Sequence, residues 1–266
     1  MPRLAPSLLS AALAGLLALA VATDELWLVA VGVLVVQVLV GTAPAHGAGE
    51  RPRPTTFVPV VAGSVVATAV AWDPQLLRGT DGTVATEDAL ISAGVFSGVM
   101  LGSAVVVFAG LVGQMLRRDG REDLVRAVAA TVLVGVVATC AAGWVAASGE
   151  SASIDVVAMA AAALSVALLV WSVPGDRVLL GSAAVTAGAL TGVLVSATVD
   201  GIGTWVLGLA VGGAAAGCAL LGQVLGRAWS IGALPGPQTW AFPAAVSVAL
   251  VGPAVHVGAS LAVLTV

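Results

Sequence analysis

The sequence predicts an all-α, polytopic membrane bundle of about nine spans, built as a single integral membrane domain over residues 1–266. Three observations predict it. Hydrophobic residues make up 59% of the chain and charged ones only 9%, where a soluble domain carries about 25% charge. Mean hydropathy is +1.10. The few ionisable residues gather in short segments between apolar runs that are too long for barrel strands and do not alternate, so the backbone must satisfy itself within helices.

The first span, Leu8–Ala22, follows Arg3. A basic start, a short apolar core and Ala20-Val21-Ala22 also resemble a secretory leader. Only Thr23-Asp24-Glu25 would separate a cut from the next span, so an uncleaved helix is the expectation. The second span, Leu26–Ala43, opens near Trp27 and contains Gln37. The third, Phe57–Trp72, follows a segment holding His46, Arg51 and Arg53, where Pro52, Pro54 and Pro59 are expected to keep the chain extended or to break the first turn. Asp73–Asp88 carries four carboxylates against Arg78 and leads to the fourth span.

That fourth span has no charged residue from Ala89 to Leu116, 28 positions or roughly 42 Å of helix, more than a ~30 Å hydrocarbon core needs. Thr86 is a candidate N-cap, followed by Glu87 and Asp88 at the positive end of the helix dipole. Gly94, Gly98 and Gly102 recur every four residues and share one face, which permits close helix packing. This helix is expected to lie inside the bundle. It runs into Arg117, Arg118, Arg121 and Arg126, four of the chain's ten basic residues. The later spans are Val125–Ala147, Ile154–Val173, Val178–Val199, Thr204–Gly226 and Trp240–Leu264. Within the eighth, the glycine-rich stretch containing Gly208 and Gly212 reads as packing.

Arginine distribution tests the count. Numbering the segments alternately places Arg3, Arg51, Arg53, the four central arginines, Arg177 and Arg227 on one side and only Arg78 on the other. By the positive-inside rule the N-terminus is cytoplasmic and the C-terminus external. The tryptophans Trp27, Trp72, Trp144, Trp171, Trp205, Trp229 and Trp240 all fall near span ends, where indole favours the headgroup region. All ten basic residues are arginine, which, with abundant Ala, Val and Gly, suggests a bacterial gene of high G+C content and the cytoplasmic membrane as its location.

A faint duplication runs through the chain. Gly113-Gln114-Met115-Leu116 ends the fourth span and Gly222-Gln223-Val224-Leu225 the eighth. Gly63-Ser64 with Thr68-Ala69 likewise matches Gly181-Ser182 with Thr186-Ala187. The expectation is two parallel repeats, 1–118 and 119–227, with an appended helix at 240–264, related by an axis along the membrane normal as in some transporters.

Residues with chemistry are scarce. Gln37 and His256 are the possible functional polar groups inside spans: Gln37 as interhelical hydrogen-bonding glue, His256 as a neutral, hydrogen-bonded side chain or a proton-sensitive gate. Cys140 and Cys218 are too sparse for a disulfide framework or a metal site. Asp119-Gly120 followed by Arg121 resembles the opening of the CDP-alcohol phosphotransferase motif, but the Ala-Arg pair and two later aspartates are missing, so the segment reads as a solvated charged loop. Asp24-Glu25 is similar to the acidic pair of polyprenyl-dependent membrane glycosyltransferases, without a soluble domain to hold a sugar donor.

Nothing reads as a phosphate loop, nucleophile elbow, zinc motif or nucleic-acid patch. The sequence thus implies no catalytic residue, cofactor or metal. It points to a non-catalytic scaffold or membrane subunit of an envelope transport or assembly system, set in the lipid bilayer beside other membrane proteins. The alternatives are a small-solute or lipid permease and, further off, an enzyme on a lipid-linked substrate.

Overall fold

The computed structural model describes residues 4–43, 54–73, 76, 87–116, 124–149, 153–198, 205–231, 233 and 236–265. The arginine-rich segment 117–123, Thr86, His46, Arg51 and Arg53 lie outside these residues. Within them the chain is helical: α1 Leu4–Ala22, α2 Leu26–Gly41, α3 Pro54–Trp72, α4 Glu87–Met115, α5 Leu124–Cys140, α6 Ala142–Ser148, α7 Ser153–Ser172, α8 Arg177–Thr198, α9 Trp205–Trp229 and α10 Pro237–Thr265. Eight spans are long and apolar enough to cross a membrane, α5 and α6 acting as one of them. With the shorter apolar α2, the described residues hold eight to nine apolar helices compatible with a multi-pass transmembrane bundle.

Local chemistry sets the boundaries. Asp24 takes a left-handed conformation at φ 56°, which asparagine and aspartate tolerate better than most side chains. The chain therefore reverses within three residues between α1 and α2. At 16 residues, α2 is about 24 Å long, short of a ~30 Å core. Asp176 caps α8: its Oδ1 accepts from the backbone N–H of Val178 at 2.8 Å and of Leu179 at 3.1 Å, pairing two of the four orphan donors of a helix start.

One expectation about proline is corrected. The chain is already helical from Pro54, which fits a first helical turn whose N–H groups have no intrahelical partner anyway, and Pro59 lies beyond that turn yet inside the continuous α3. In α10, Pro243 and Pro253 are both accommodated within one helix, where neighbouring helices can satisfy the carbonyls they leave open.

The centre of the bundle also differs from expectation. The best-buried spans are α10 and α7. Along α4, Met100, Phe108 and Met115 are exposed, so this helix lies at the edge and turns only one face inward. A span clear of charge says that a helix crosses lipid, not how many neighbours it has. Conversely α1, near the N-terminus, is packed against α7 and α10. Ser7, Ser10, Ala14, Leu17 and Val21 form its buried stripe, a spacing close to the 3.5-residue repeat of a helix seam, while Leu8, Leu16 and Leu19 face outward.

Candidate functional site

Small residues fix how the helices approach. On α4, a Cβ added at Gly98 would lie 3.0 Å from the Ala67 carbonyl oxygen of α3, and one added at Gly102 would lie 2.6 Å from that of Gly63. On α9, a Cβ at Gly208 would lie 2.6 Å from the Gly192 oxygen of α8, and one at Gly212 would lie 2.5 Å from that of Gly188. Contacts this short leave no room for a side chain, and backbone dipoles and Cα–H groups meet directly. Gly94 belongs to α4, but its surroundings are outside the description. Gly181 has only Trp171 nearby, at 3.6 Å. Thus Gly188 and Gly192, rather than the Gly181 motif, hold the positions on α8 that Gly63 and Ala67 hold on α3.

A third close approach joins α5–α6 to α10. The helix is interrupted at Ala141; just beyond, Gly143 lies against the backbone of Gly252 and Pro253, and Gly252 lies against the Cys140 carbonyl. Trp144 fills the space beside this crossing. Its expected place at the headgroups is corrected: the side chain is fully buried, and its Nε1–H donates to the Val248 carbonyl of α10 at 2.9 Å. The indole sits near the end of a span in the sequence, yet a glycine on the facing helix gives it a slot in the core.

Around these contacts lies a set of buried, uncharged polar groups. Gln37 on α2 is almost wholly inaccessible, and its Oε1 accepts from Thr68 Oγ1 of α3 at 3.1 Å. Its Nε2 and the Ser64 hydroxyl one turn before Thr68 are buried with no hydrogen-bond partner among the described residues. Gln223 on α9 donates through Nε2 to Ser10 Oγ of α1 at 3.2 Å. That hydroxyl reaches the carbonyls of Pro6, at 2.9 Å, and of Ala244 on α10, at 3.2 Å, so one serine ties three helices. Thr131 Oγ1 of α5 lies within hydrogen-bond distance of two acceptors, its own helix's Ala127 carbonyl at 2.9 Å and Thr56 Oγ1 of α3 at 3.3 Å. His256 is buried in α10, and its backbone carbonyl accepts from Ser260 Oγ at 3.1 Å.

Sequence reasoning singled out Gln37 and His256 but used Gln114 and Gln223 only as repeat markers. Both are buried. For Gln223 a usable signal was present: it follows Gly222, which lies against the backbone of Ser247 on α10, whereas Gly113 before Gln114 makes only ordinary contact with Thr55. A glutamine beside a close helix contact is carried into the interior with it.

Chemically this arrangement holds helices together. The buried side chains among the described residues include no Asp, Glu, Lys or Arg, and His256 is ionisable. No three of His, Cys, Asp or Glu come together there as metal ligands would. Cys140 and Cys218 are free, partly buried thiols. Compared with known proteins, the chain matches no family model, no curated protein and no solved structure.

Proposed function

We propose that this chain is a non-catalytic membrane subunit or scaffold of a bacterial envelope transport or assembly system, working through the surfaces of a closed bundle. The observation that carries the reading is that the buried polar set among the described residues contains no Asp, Glu, Lys or Arg and only one ionisable side chain, His256. Moving protons or ions across lipid calls for ionisable or hydrated groups near the midplane, whereas Gln, Ser and Thr bonded across helices serve as interhelical glue. The segregation of nine of the ten arginines supports the cytoplasmic membrane with the N-terminus inside. The seating of α1 against α7 and α10 supports an uncleaved first helix.

Cross-linking in native membranes, followed by purification and mass spectrometry, tests this. The same partner recovered at fixed stoichiometry in independent preparations is the expected result. A purified chain that moves solute by itself in proteoliposomes refutes it.

One observation favours a second reading, a permease of parallel repeats. Gly208 and Gly212 lie 110 positions after Gly98 and Gly102, and Gly252 lies 109 after Gly143. The α3–α4 and α8–α9 pairs use these glycines alike, and Gly143 and Gly252 meet each other, as equivalent residues do on a twofold axis. In this register α2–α6 correspond to α7–α10, with α1 preceding them. The frame differs from 1–118 and 119–227 followed by an appended helix, although the Gln114–Gln223 match, 109 positions apart, is kept. Flux that responds to substitutions at Gly143 and Gly252 would choose the permease.

A further inference from the structure

A groove of about 630 Å³ opens on the outer surface between α4 and α5. Its lining includes Leu111 from α4 and Val125, Ala129, Val132, Leu133 and Val136 from α5, and every lining side chain is aliphatic. The groove exists because the two helices touch along a narrow inner seam. Gly102 meets Thr139, Gly135 meets Val106 and Gly110 meets Thr131, one antiparallel register in which small residues draw the backbones together. The larger aliphatic side chains beside the seam then stand apart and leave a furrow.

Its dimensions and chemistry select an occupant. The α5 lining runs from Leu124 to Val136, about 18 Å of helix at ~1.5 Å per residue, which matches one leaflet of a ~30 Å hydrocarbon core. A furrow between two touching helices is narrow for a third helix, whose diameter with side chains is about 10–12 Å. Its Leu and Val lining also lacks the run of small residues that helix association in lipid favours. A flexible hydrocarbon chain has neither difficulty, and filling the furrow restores dispersion contacts that a void would forfeit.

At the end of the furrow nearest the start of α5, Arg126 is exposed on the turn that precedes Ala129. The connecting sequence 117–123 carries Arg117, Arg118 and Arg121 against Asp119, Glu122 and Asp123, so Arg126 provides the net positive charge of the stretch. Guanidinium groups bind phosphate oxygens in a bidentate manner, and basic sites beside membrane helices bind anionic headgroups. We propose that the α4–α5 furrow is a lipid site: one acyl chain of an anionic phospholipid lies along Val125–Val136 while its phosphodiester pairs with Arg126.

Native mass spectrometry of the full chain in mild detergent, titrated separately with phosphatidylglycerol and phosphatidylcholine of identical chains, tests the proposal. The wild type should bind phosphatidylglycerol about fivefold more tightly, the equivalent of about 1 kcal/mol. Arg126→Gln should abolish that preference and Arg126→Lys should keep most of it. Ala129→Trp, at an exposed lining position, should weaken both lipids. Thermal aggregation midpoints equal to wild type show that the variants fold. Equal binding of the two lipids by the wild type, or a preference unchanged in Arg126→Gln, overturns the proposal. So does a dimer that Ala129→Trp disperses, which would make the furrow an interface between copies.

Discussion

At the residue scale, glycine does two opposite things in this chain, and a single substitution separates them. Gly15 on α1 has no atom within 4 Å of an added Cβ, whereas a Cβ at Gly102 would stand 2.6 Å from a backbone oxygen. Gly15→Ala should therefore leave the thermal aggregation midpoint unchanged or raise it, since alanine is the better helix former by up to about 1 kcal/mol. Gly102→Ala should lower it through overpacking of about 1–3 kcal/mol, because the backbone it meets cannot step aside like a side chain. Equal midpoints would mean that α3 and α4 are not in close contact. The spacing of Gly98 and Gly102 was legible in the sequence; the partner helix was not. Recurrence every four residues defines a face, while the helix that face meets depends on long-range topology. Gln223 shows the same limit, since its partner Ser10 lies 213 positions away.

At the element scale, the crossing of α5–α6 with α10 is the feature hydropathy conceals. An apolar run from Val125 to Ala147 reads as one uniform span, and nothing in its composition marks the interruption at Ala141. Hydropathy reports the solvent a segment prefers, and a break buried against another helix prefers the same solvent as a straight helix. Trp144 was misplaced for a related reason: its position near a span end fits both a headgroup anchor and a core plug. Trp144→Phe keeps most of the buried ring but loses the bond to Val248. Interhelical hydrogen bonds in membranes average only about 0.6 kcal/mol, so a small drop in midpoint is expected. Trp144→Ala should cost about 3–5 kcal/mol by opening a cavity and should lower detergent-solubilised yield sharply. If the phenylalanine variant is as damaged as the alanine one, the hydrogen bond rather than the ring holds the crossing.

At the scale of the whole molecule, sequence is most informative about crossing number, because the bilayer leaves few alternatives. A backbone in hydrocarbon must pair with itself, so long apolar runs become helices, and the described arginines Arg126, Arg177 and Arg227 lie in the first or last turn of one. The centre is harder to read. The helix richest in sequence signals, α4, lies at the edge, while α7 and α10 are the best-buried spans, since alanine and valine in the middle of a bundle look the same as alanine and valine facing lipid. Orientation is a proposal with a separate argument: if the chain crosses nine times, nine of the ten arginines fall on one side, and translocating them would be unfavourable. After Cys140 and Cys218 are replaced by alanine, a cysteine introduced at Gly149 should react with a membrane-impermeant maleimide added to intact cells. A cysteine introduced at Gly120 should react only after permeabilisation. Arg78, alone on the opposite side, should not reverse this pattern when changed to Gln, because it opposes the bias the other nine impose. The inverse labelling pattern would reverse the orientation and, with it, the leaflet in which the furrow beside Arg126 opens.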